Sequence, residues 1–477
     1  MNHGIAAFGA YLPRWRLQRS AIAASLAWLA QGPTRARGER SYCNWDEDAL
    51  TMAVEAGRAC LASRPGATPA ALWLASTSLP FADRSNSGLL AGALDLTPPC
   101  RTLDSSGSLR AATGALVAAL EGRQAQLVVG SDARKARPAS GQEMNFGHGA
   151  AAILTGTADL LADFLGAESV ATDLVDHYRG GDAEFDYALE ERWVRDEGYA
   201  KLVPATVGAL LHRLSITAAA IDRMIVPVAT AHARRIATEC GIRADALVDP
   251  LHEHCGDTGT AHPLLMLTAA LESARPGELV LLVGFGQGVD ALLFRTTPGV
   301  ATRPAGGGVR ASLAAGQADG AYTRYLSHQG LLDVDPGMRA ERDARTAQSA
   351  AYRKRRDLTA FIGVRCTACG TVQFPKALGC VNPECRAFDT QVDERLADVV
   401  GRVKSFTEDW LAYTPSPPLP YGNVDIGRGG NIFMEFTDIA PGELAVGLAV
   451  RMVYRIKDVD RVRQFHRYFW KATPVRA

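Results

Sequence analysis

Four cysteines late in the chain offer the sharpest chemistry. In VRCTACGTVQFPKALGCVNPEC, Cys366 and Cys369 form a CxxC pair, and Cys380 and Cys385 form a second pair with four residues between them. Four thiolates close a tetrahedral zinc shell, and Gly370 lets the first knuckle turn. A complete sulfur shell leaves no open coordination position, so zinc held here is structural rather than catalytic. A redox CxxC is the weaker reading, because a second pair follows so soon. A second set of reactive residue types lies upstream. CRTLDSSGSLRAATGALVAALEG places Ser105, Ser106 and Ser108 between a predicted strand and a predicted helix that opens at Leu109. CGDTGTAHPLLML carries Asp257 and His262, with His254 just before them, and TAHARRI carries His232. Helix N-termini present unpaired N–H groups and partial positive charge, which suit an enolate or carbonyl oxygen. The serines also read as ordinary N-caps, and Asp257 as a cap. Ser108 has no evident base beside it and is a poor nucleophile alone.

A duplication must position these residues. AALEGRQAQLVVGSD from Ala118 matches AALESARPGELVLLVG from Ala269, and FGHGAAAILTG from Phe146 matches FGQGVDALLFR from Phe285. AALWLASTS from Ala70 resembles DRMIVPVAT from Asp222. The period far exceeds the roughly 20 to 50 residues of stacked repeats, so one large β-α-β-rich unit occurs twice. Leu109, Ala112, Leu116, Ala119 and Leu120 keep helical spacing. Alternating helices and apolar strands imply layered α/β packing. Matching the two AALE stretches sets Leu109 opposite Thr260, and Ser106 opposite Asp257. With pseudo-twofold pairing, the two equivalent helix N-termini converge. The glycine turns FGHG and FGQG do not open a helix, which argues against a dinucleotide-binding fingerprint.

Composition narrows the function. The 477 residues are 47% hydrophobic, with 51 basic and 51 acidic side chains. Zero net charge argues against a general nucleic-acid or membrane-surface binder. No apolar run of about 18 residues appears, and the N-terminus lacks a basic–apolar–small signal pattern. Nine cysteines, five of them scattered, fit a reducing compartment. The expectation is a cytoplasmic protein with no membrane and no nucleic-acid partner.

The order of DEDALTMAVEAG, SLRAATGAL, HCGDTGTAHPLLML and LVGFGQGVDALLF, together with the duplication, resembles the thiolase superfamily over residues 1–295. The likeness is greatest to the branch holding ketoacyl synthase III and hydroxymethylglutaryl-CoA synthase. It implies a duplicated α-β-α-β-α layered fold, an acyl-CoA substrate and a homodimer joined through the central sheet. The family's nucleophilic cysteine falls on Leu109, its histidine on Thr230, and its asparagine on Asp257. The glutamate base of the hydroxymethylglutaryl synthases is matched only by Ser76, Thr77 and Ser78. An acyl-enzyme route therefore lacks its nucleophile. An aldol or retro-aldol step needs only a base and donors for an enolate oxygen. The expected catalytic set is Asp257 with His262 or His232, and Ser108 at the first helix entrance. The alternatives are a non-catalytic acyl-CoA-binding or scaffold subunit of a thiolase or synthase complex, and an acyltransferase using another nucleophile. The polar stretch 169–199, with Asp176, His177, Tyr187, Trp193 and Tyr199, covers the substrate pocket in the resembled family, and otherwise reads as a solvated insertion.

The expected boundaries are 1–167 and 168–295 for the two thiolase-like halves, 296–358 for a linker and basic helix, 359–395 for a rubredoxin-like zinc ribbon, and 396–477 for a small OB-fold β-barrel. TTPGVATRPAGGG has linker composition. The short alternating strands after residue 396 suggest the barrel. Ribbon plus barrel resembles the domain that accompanies thiolase-superfamily enzymes in acyl-CoA complexes. That likeness implies a possible thiolase or other acyl-CoA enzyme as partner.

Overall fold

A computed structural model describes residues 2–29, 36–96, 99–188, 190–304 and 306–476. The chain divides into two compact units. The first comprises 1–43, 48–88 and 96–325; the second comprises 44–47, 89–95 and 326–477.

In the first unit the elements follow the duplicated pattern. The first copy holds β1 (Gly4–Tyr11), α1 (Ala49–Ala62), β2 (Ala71–Ala75), β3 (Arg101–Ser105), α2 (Ala111–Glu121), β4 (Gln126–Asp132) and β5 (Gly149–Gly156). The second holds β6 (Ala162–Ala171), α3 (Val203–Leu214), β7 (Arg223–Ile225), α4 (Thr230–Glu239), α5 (His262–Glu272), β8 (Leu279–Phe285) and β9 (Gly288–Thr296). Nine strands form one sheet in the order β7-β8-β9-β6-β1-β5-β4-β2-β3. Reading outward from the central β6–β1 pair, β9 answers β5, β8 answers β4, and β7 answers β2. The sequence duplication is thus a structural one. The halves join where Gly4 pairs with Asp163 and Ile5 with Ala162. The second copy begins at Ala162, so the expected boundary at 167/168 falls inside β6.

Strands β4, β5 and β8 are buried along their whole length. This is the signature of a sheet covered on both faces, and their apolar runs follow from it. The covering helices are apolar all round for the same reason. α5, HPLLMLTAALE, buries nine of its residues. α1 starts at a capping box, in which Asp48 accepts from the Thr51 N–H at 2.9 Å and Thr51 Oγ1 accepts from the Asp48 N–H at 2.8 Å. α2 and α5 pack on one another.

Residues 296–325 are not a linker. They carry helix Val309–Ala314 and a strand, Gln317–Asp319, that pairs in parallel with Trp15–Leu17. The glycines there serve close packing. A Cβ on Gly308 would lie 1.9 Å from Glu272 Oε1, and the Gly307 carbonyl accepts from the Ala10 N–H at 2.8 Å. The expected basic helix is reduced to two short turns, Gln348–Arg353 and Arg355–Thr359.

The second unit contains a three-stranded ribbon, β10 (Ile362–Cys366), β11 (Val372–Gln373) and β12 (Gln391–Arg395), in the order β11-β10-β12. A nearly closed, barrel-like sheet follows. It consists of β13 (Val400–Asp409), β14 (Leu419–Gly427), β15 (Gly430–Glu435), β16 (Ala449–Asp460) and β17 (Phe465–Pro474), in the order β15-β14-β13-β16-β17. A bridge between Phe436 and Ala472 draws its two edges together. Buried Arg455 lies 3.1 Å from Glu47 and 3.0 Å from Asp438, and Lys471 lies 3.0 Å from Asp46. Charges this deep are tolerated because each is paired.

Candidate functional site

The two helix entrances meet over β4. A Cβ added at Gly130 would approach Ala112 Cβ to 3.2 Å, the Thr260 carbonyl oxygen to 3.1 Å and Ala261 Cα to 3.1 Å. At Gly284 on β8, the matching strand, an added Cβ would overlap Thr113 Oγ1 at 2.1 Å. The expected convergence of α2 and α5 is therefore real, and small residues on the intervening strands permit it.

The α5 entrance is built around Asp132, the last residue of β4. Its carboxylate accepts from Ser76 Oγ at 2.9 Å, the Thr77 N–H at 2.8 Å, Ser78 Oγ at 2.8 Å, and the Thr260 N–H and Oγ1 at 2.8 and 2.9 Å. The run Ser76–Ser78 thus supplies donors to a carboxylate from the neighbouring strand. Asp257 begins the same loop. Its Oδ1 accepts from the Gly259 N–H at 2.9 Å, and its Oδ2 lies 2.9 Å from Arg134 Nη2. Burial opposes its charge, but Arg134 and the neighbouring His262 and His252 outweigh that and hold the carboxyl well below the usual carboxylate range. Such a carboxylate is a weak base at neutral pH.

His262 differs from expectation. It is fully buried at the first position of α5, with Nε2 2.8 Å from the Pro250 carbonyl and Nδ1 3.1 Å from Thr258 Oγ1. Nε2 must donate to the carbonyl, so Nδ1 accepts. Both nitrogens are engaged, burial lowers the pKa, and the ring stacks on His252 at 4.8 Å. It locks the loop and has no nitrogen to offer a substrate. His254 is 55% exposed and lies 3.7 Å from Asp249.

At the α2 entrance, Ser108 Oγ donates to the Gly286 carbonyl at 2.5 Å and accepts from the Arg110 N–H at 3.2 Å. It is a turn residue rather than a nucleophile. Arg110 Nε also reaches the Gly286 carbonyl at 3.2 Å, and its Nη1 pairs with buried Asp290 at 3.0 Å. Asp290 further accepts from Thr113 and Ser169, each at 2.8 Å. Leu109 stands between these anchors. Its N–H makes no hydrogen bond among the described residues.

The polar stretch after β6 faces this region. Arg134 reaches Asp186 at 3.8 Å as well as Asp257, and Asp186 in turn pairs with Arg179 at 2.8 Å. Residues Val194–Leu202 form a π-helix, a rare widened helix found often at functional sites. Tyr199, on that segment, lies 4.9 Å from Phe285 and 5.6 Å from His232, ring centre to ring centre. His232 Nε2 is 3.0 Å from Glu191 Oε1, and the side chain keeps 23% exposure. With Nε2 donating to that carboxylate, Nδ1 is left as the lone-pair nitrogen. Of the expected residues, Asp257 lies at the α5 entrance and Ser108 at the α2 entrance, His232 lies on α4 beside Tyr199, and His262 is turned inward. Asp132, Arg134, Arg110, Asp290, Glu191 and Tyr199 complete the arrangement. Only Tyr199 among these stood out in the sequence, as part of a polar stretch.

In the second unit, the ligand sulfurs of Cys366, Cys369, Cys380 and Cys385 all lie within 4.8 Å of one another. Two of the separations are 3.9 Å (Cys366–Cys385) and 3.5 Å (Cys369–Cys380). A tetrahedron with Zn–S bonds of about 2.3 Å has edges of about 3.8 Å, so the quartet fits zinc.

Comparison with known proteins agrees with this geometry. Residues 211–295 match the C-terminal domain model of 3-oxoacyl-[acyl-carrier-protein] synthase III, and residues 356–391 match a rubredoxin-like zinc ribbon domain, ChsH2. The chain is 28% identical over 304 residues to a hydroxymethylglutaryl-CoA synthase of Thermococcus sibiricus, covering 61% of this chain and 85% of that relative. A crystal structure of an HMG-CoA synthase complexed with CoA superposes with a TM-score of 0.60 at 16% identity, covering 69% of this chain and 90% of that one. The 3-oxoacyl-(acyl carrier protein) synthase III of Pseudomonas aeruginosa gives 0.54 at 21% identity, covering 62% and 99%. The first unit is thiolase-like. In this thiolase-like unit, no described helix is long and apolar enough to cross a membrane, nor is there one elsewhere among the described residues. The four-cysteine zinc ribbon forms part of the second unit.

Proposed function

We propose that the thiolase-like unit makes or breaks a carbon–carbon bond on a CoA thioester by aldol-type or Claisen-type chemistry that needs no acyl-enzyme. The observation that carries this reading is the α2 entrance: Leu109 occupies the position expected for the nucleophile, yet the converged helix ends and the polar groups around them are retained. His232 is the base, acting through Nδ1 while Glu191 holds Nε2. The free Leu109 N–H is a donor for an enolate oxygen, the interaction that most stabilises such an intermediate. Asp257, fixed as an anion by Arg134, takes no proton itself.

The chain acts as a homodimer in the cytoplasm. Support comes from β3, an exposed strand at the end of the sheet, with Leu103 43% exposed. A bare edge of this kind invites pairing with a second copy. A Leu103→Lys variant that remains dimeric in light scattering would remove that support.

The test is to incubate the purified protein with β-hydroxyacyl-CoA and β-ketoacyl-CoA esters, with and without free CoA, and to follow the thioesters by mass spectrometry. Cleavage of a β-hydroxy ester without added CoA is expected. Cleavage of a β-keto ester only with CoA would point to thiolysis through another nucleophile. An ester retained but never turned over would leave a non-catalytic acyl-CoA-binding protein.

A further inference from the structure

Tyr199 has the geometry of a proton donor and no other evident task. Its ring is held on two sides, by Phe285 at 4.9 Å and His232 at 5.6 Å. Phe285 leads directly into Gly286, whose carbonyl receives Ser108 and Arg110 from the α2 entrance. The tyrosine therefore stands between His232 and the end of the strand whose next residue, Gly286, anchors the α2 entrance. Its hydroxyl makes no hydrogen bond among the described residues. Beside it, Asp176 Oδ1 is buried with no hydrogen-bond partner. The backbone beneath is the widened π-turn, and Gly198 is required there: a Cβ would lie 2.6 Å from the Phe285 ring. The segment is thus pressed onto Phe285, which fixes where Tyr199 points.

We infer that Tyr199 is a catalytic residue that delivers the proton to the α-carbon of the thioester enolate. The inference rests on the aldol reading above. In the cleavage direction, His232 Nδ1 takes the proton from the β-hydroxyl of the substrate. The Cα–Cβ bond breaks, the β-carbon becomes a carbonyl, and the electron pair moves into the thioester enolate. Tyr199 O–H gives its proton to Cα, forming the shortened acyl-CoA. The tyrosinate then recovers a proton from the His232 imidazolium, so the cycle closes without another reactant. The surroundings favour this role over that of a base. Burial raises the Tyr199 pKa, and Asp176, Asp257 and Glu191 raise it further, so the hydroxyl keeps its proton until an enolate forms.

The experiment uses the full-length protein, acetyl-CoA in deuterated water, and a panel of β-hydroxyacyl-CoA esters. The wild type is expected to wash deuterium into the α-position of acetyl-CoA and to cleave at least one ester. Tyr199→Phe retains the ring packing and loses only the hydroxyl. Exchange and kcat should both fall about a hundredfold or more in that variant, the range of a lost general acid. KM and the melting temperature should stay near wild type. A second variant, Phe285→Leu, keeps the hydroxyl but removes the ring that positions it, and should lose exchange without reaching the level of Tyr199→Phe. If the wild type cleaves and exchanges while Tyr199→Phe equals it, the tyrosine inference fails and the aldol reading stands. If the wild type neither cleaves nor exchanges, both fail.

Discussion

The two helix entrances share a backbone frame and differ in what fills it. At α5, the Asp132 carboxylate collects donors from three β2-end residues and from Thr260, and a buried histidine pins the loop below. At α2, a single arginine bridges Asp290 and the Gly286 carbonyl, and an apolar side chain sits between. Satisfied polar networks confer rigidity because leaving any member unpaired is costly in a low dielectric. The α5 entrance is thus scaffold throughout. The groups assigned to the chemistry in the proposed reaction, Tyr199 Oη and His232 Nδ1, come from the segments beyond β6. The frame tolerates the apolar Leu109 between the α2 anchors because Asp290 and the Gly286 carbonyl hold that entrance in place.

The sharpest way to break this contrast is to remove the anchors. Asp132→Ala leaves several buried donors without an acceptor, each worth about 1–3 kcal/mol, and should destabilise the thiolase-like unit by about 4 kcal/mol in urea unfolding. Asp290→Asn keeps shape and most hydrogen bonds and should cost about 2 kcal/mol. Equal losses would show that the entrances are anchored alike.

The histidines around the α5 loop give a second test, by pH. Burial lowers His148 to about 3 and lowers His252, which also has His262 beside it, to about 4. The unfolded chain takes up these protons near pH 6.5, the folded chain only far below it. Stability must therefore fall as pH drops below about 6.5, by about 1.4 kcal/mol per pH unit for each such histidine. Asp257 acts further down: its folded pKa is depressed, so its contribution is present above the unfolded value of about 3.9 and is lost as pH falls through the folded one. A flat stability between pH 6.5 and 5 would contradict the buried placement of these rings.

Restoring the nucleophile sharpens the comparison from the other side. Leu109→Cys should alkylate with iodoacetamide faster than any cysteine of the wild type outside the ribbon, as measured by mass spectrometry, since a helix entrance favours thiolate. Buried Cys60 and Cys255, both pushed up to about 12, should remain inert. The smallest effect belongs to Ser108→Ala. It removes a turn hydrogen bond worth about 1 kcal/mol and should leave turnover within about threefold. A loss of several orders would return Ser108 to the chemistry.

Much of this was legible from local signals. Cysteine spacing located the ribbon, and the repeated AALE helices and FGxG turns located the symmetric halves and the convergence of α2 and α5. What stayed hidden depends on partners far apart in the chain. Asp132 meets Thr260 across 128 positions, and Arg134 meets Asp257 across 123. No periodicity marks such pairs. His262 looked available because it opens a helix, but that helix is buried on every side, and only the sheet topology reveals this. The glycine-rich stretch after Thr296 read as loose for a related reason: composition cannot distinguish a flexible chain from one that must pass close to Glu272.

The π-turn that carries Tyr199 sets the angular phase of its segment. A helix that accommodates one surplus residue without unwinding widens in this way, so the segment behaves as a single-residue insertion held in place by its surroundings. Each residue of an ordinary helix advances the side-chain direction by about 100°. Deleting one residue between Val194 and Glu197 would restore ordinary winding and swing Tyr199 away from Phe285. The widened winding thus sets which side chain of this segment faces Phe285.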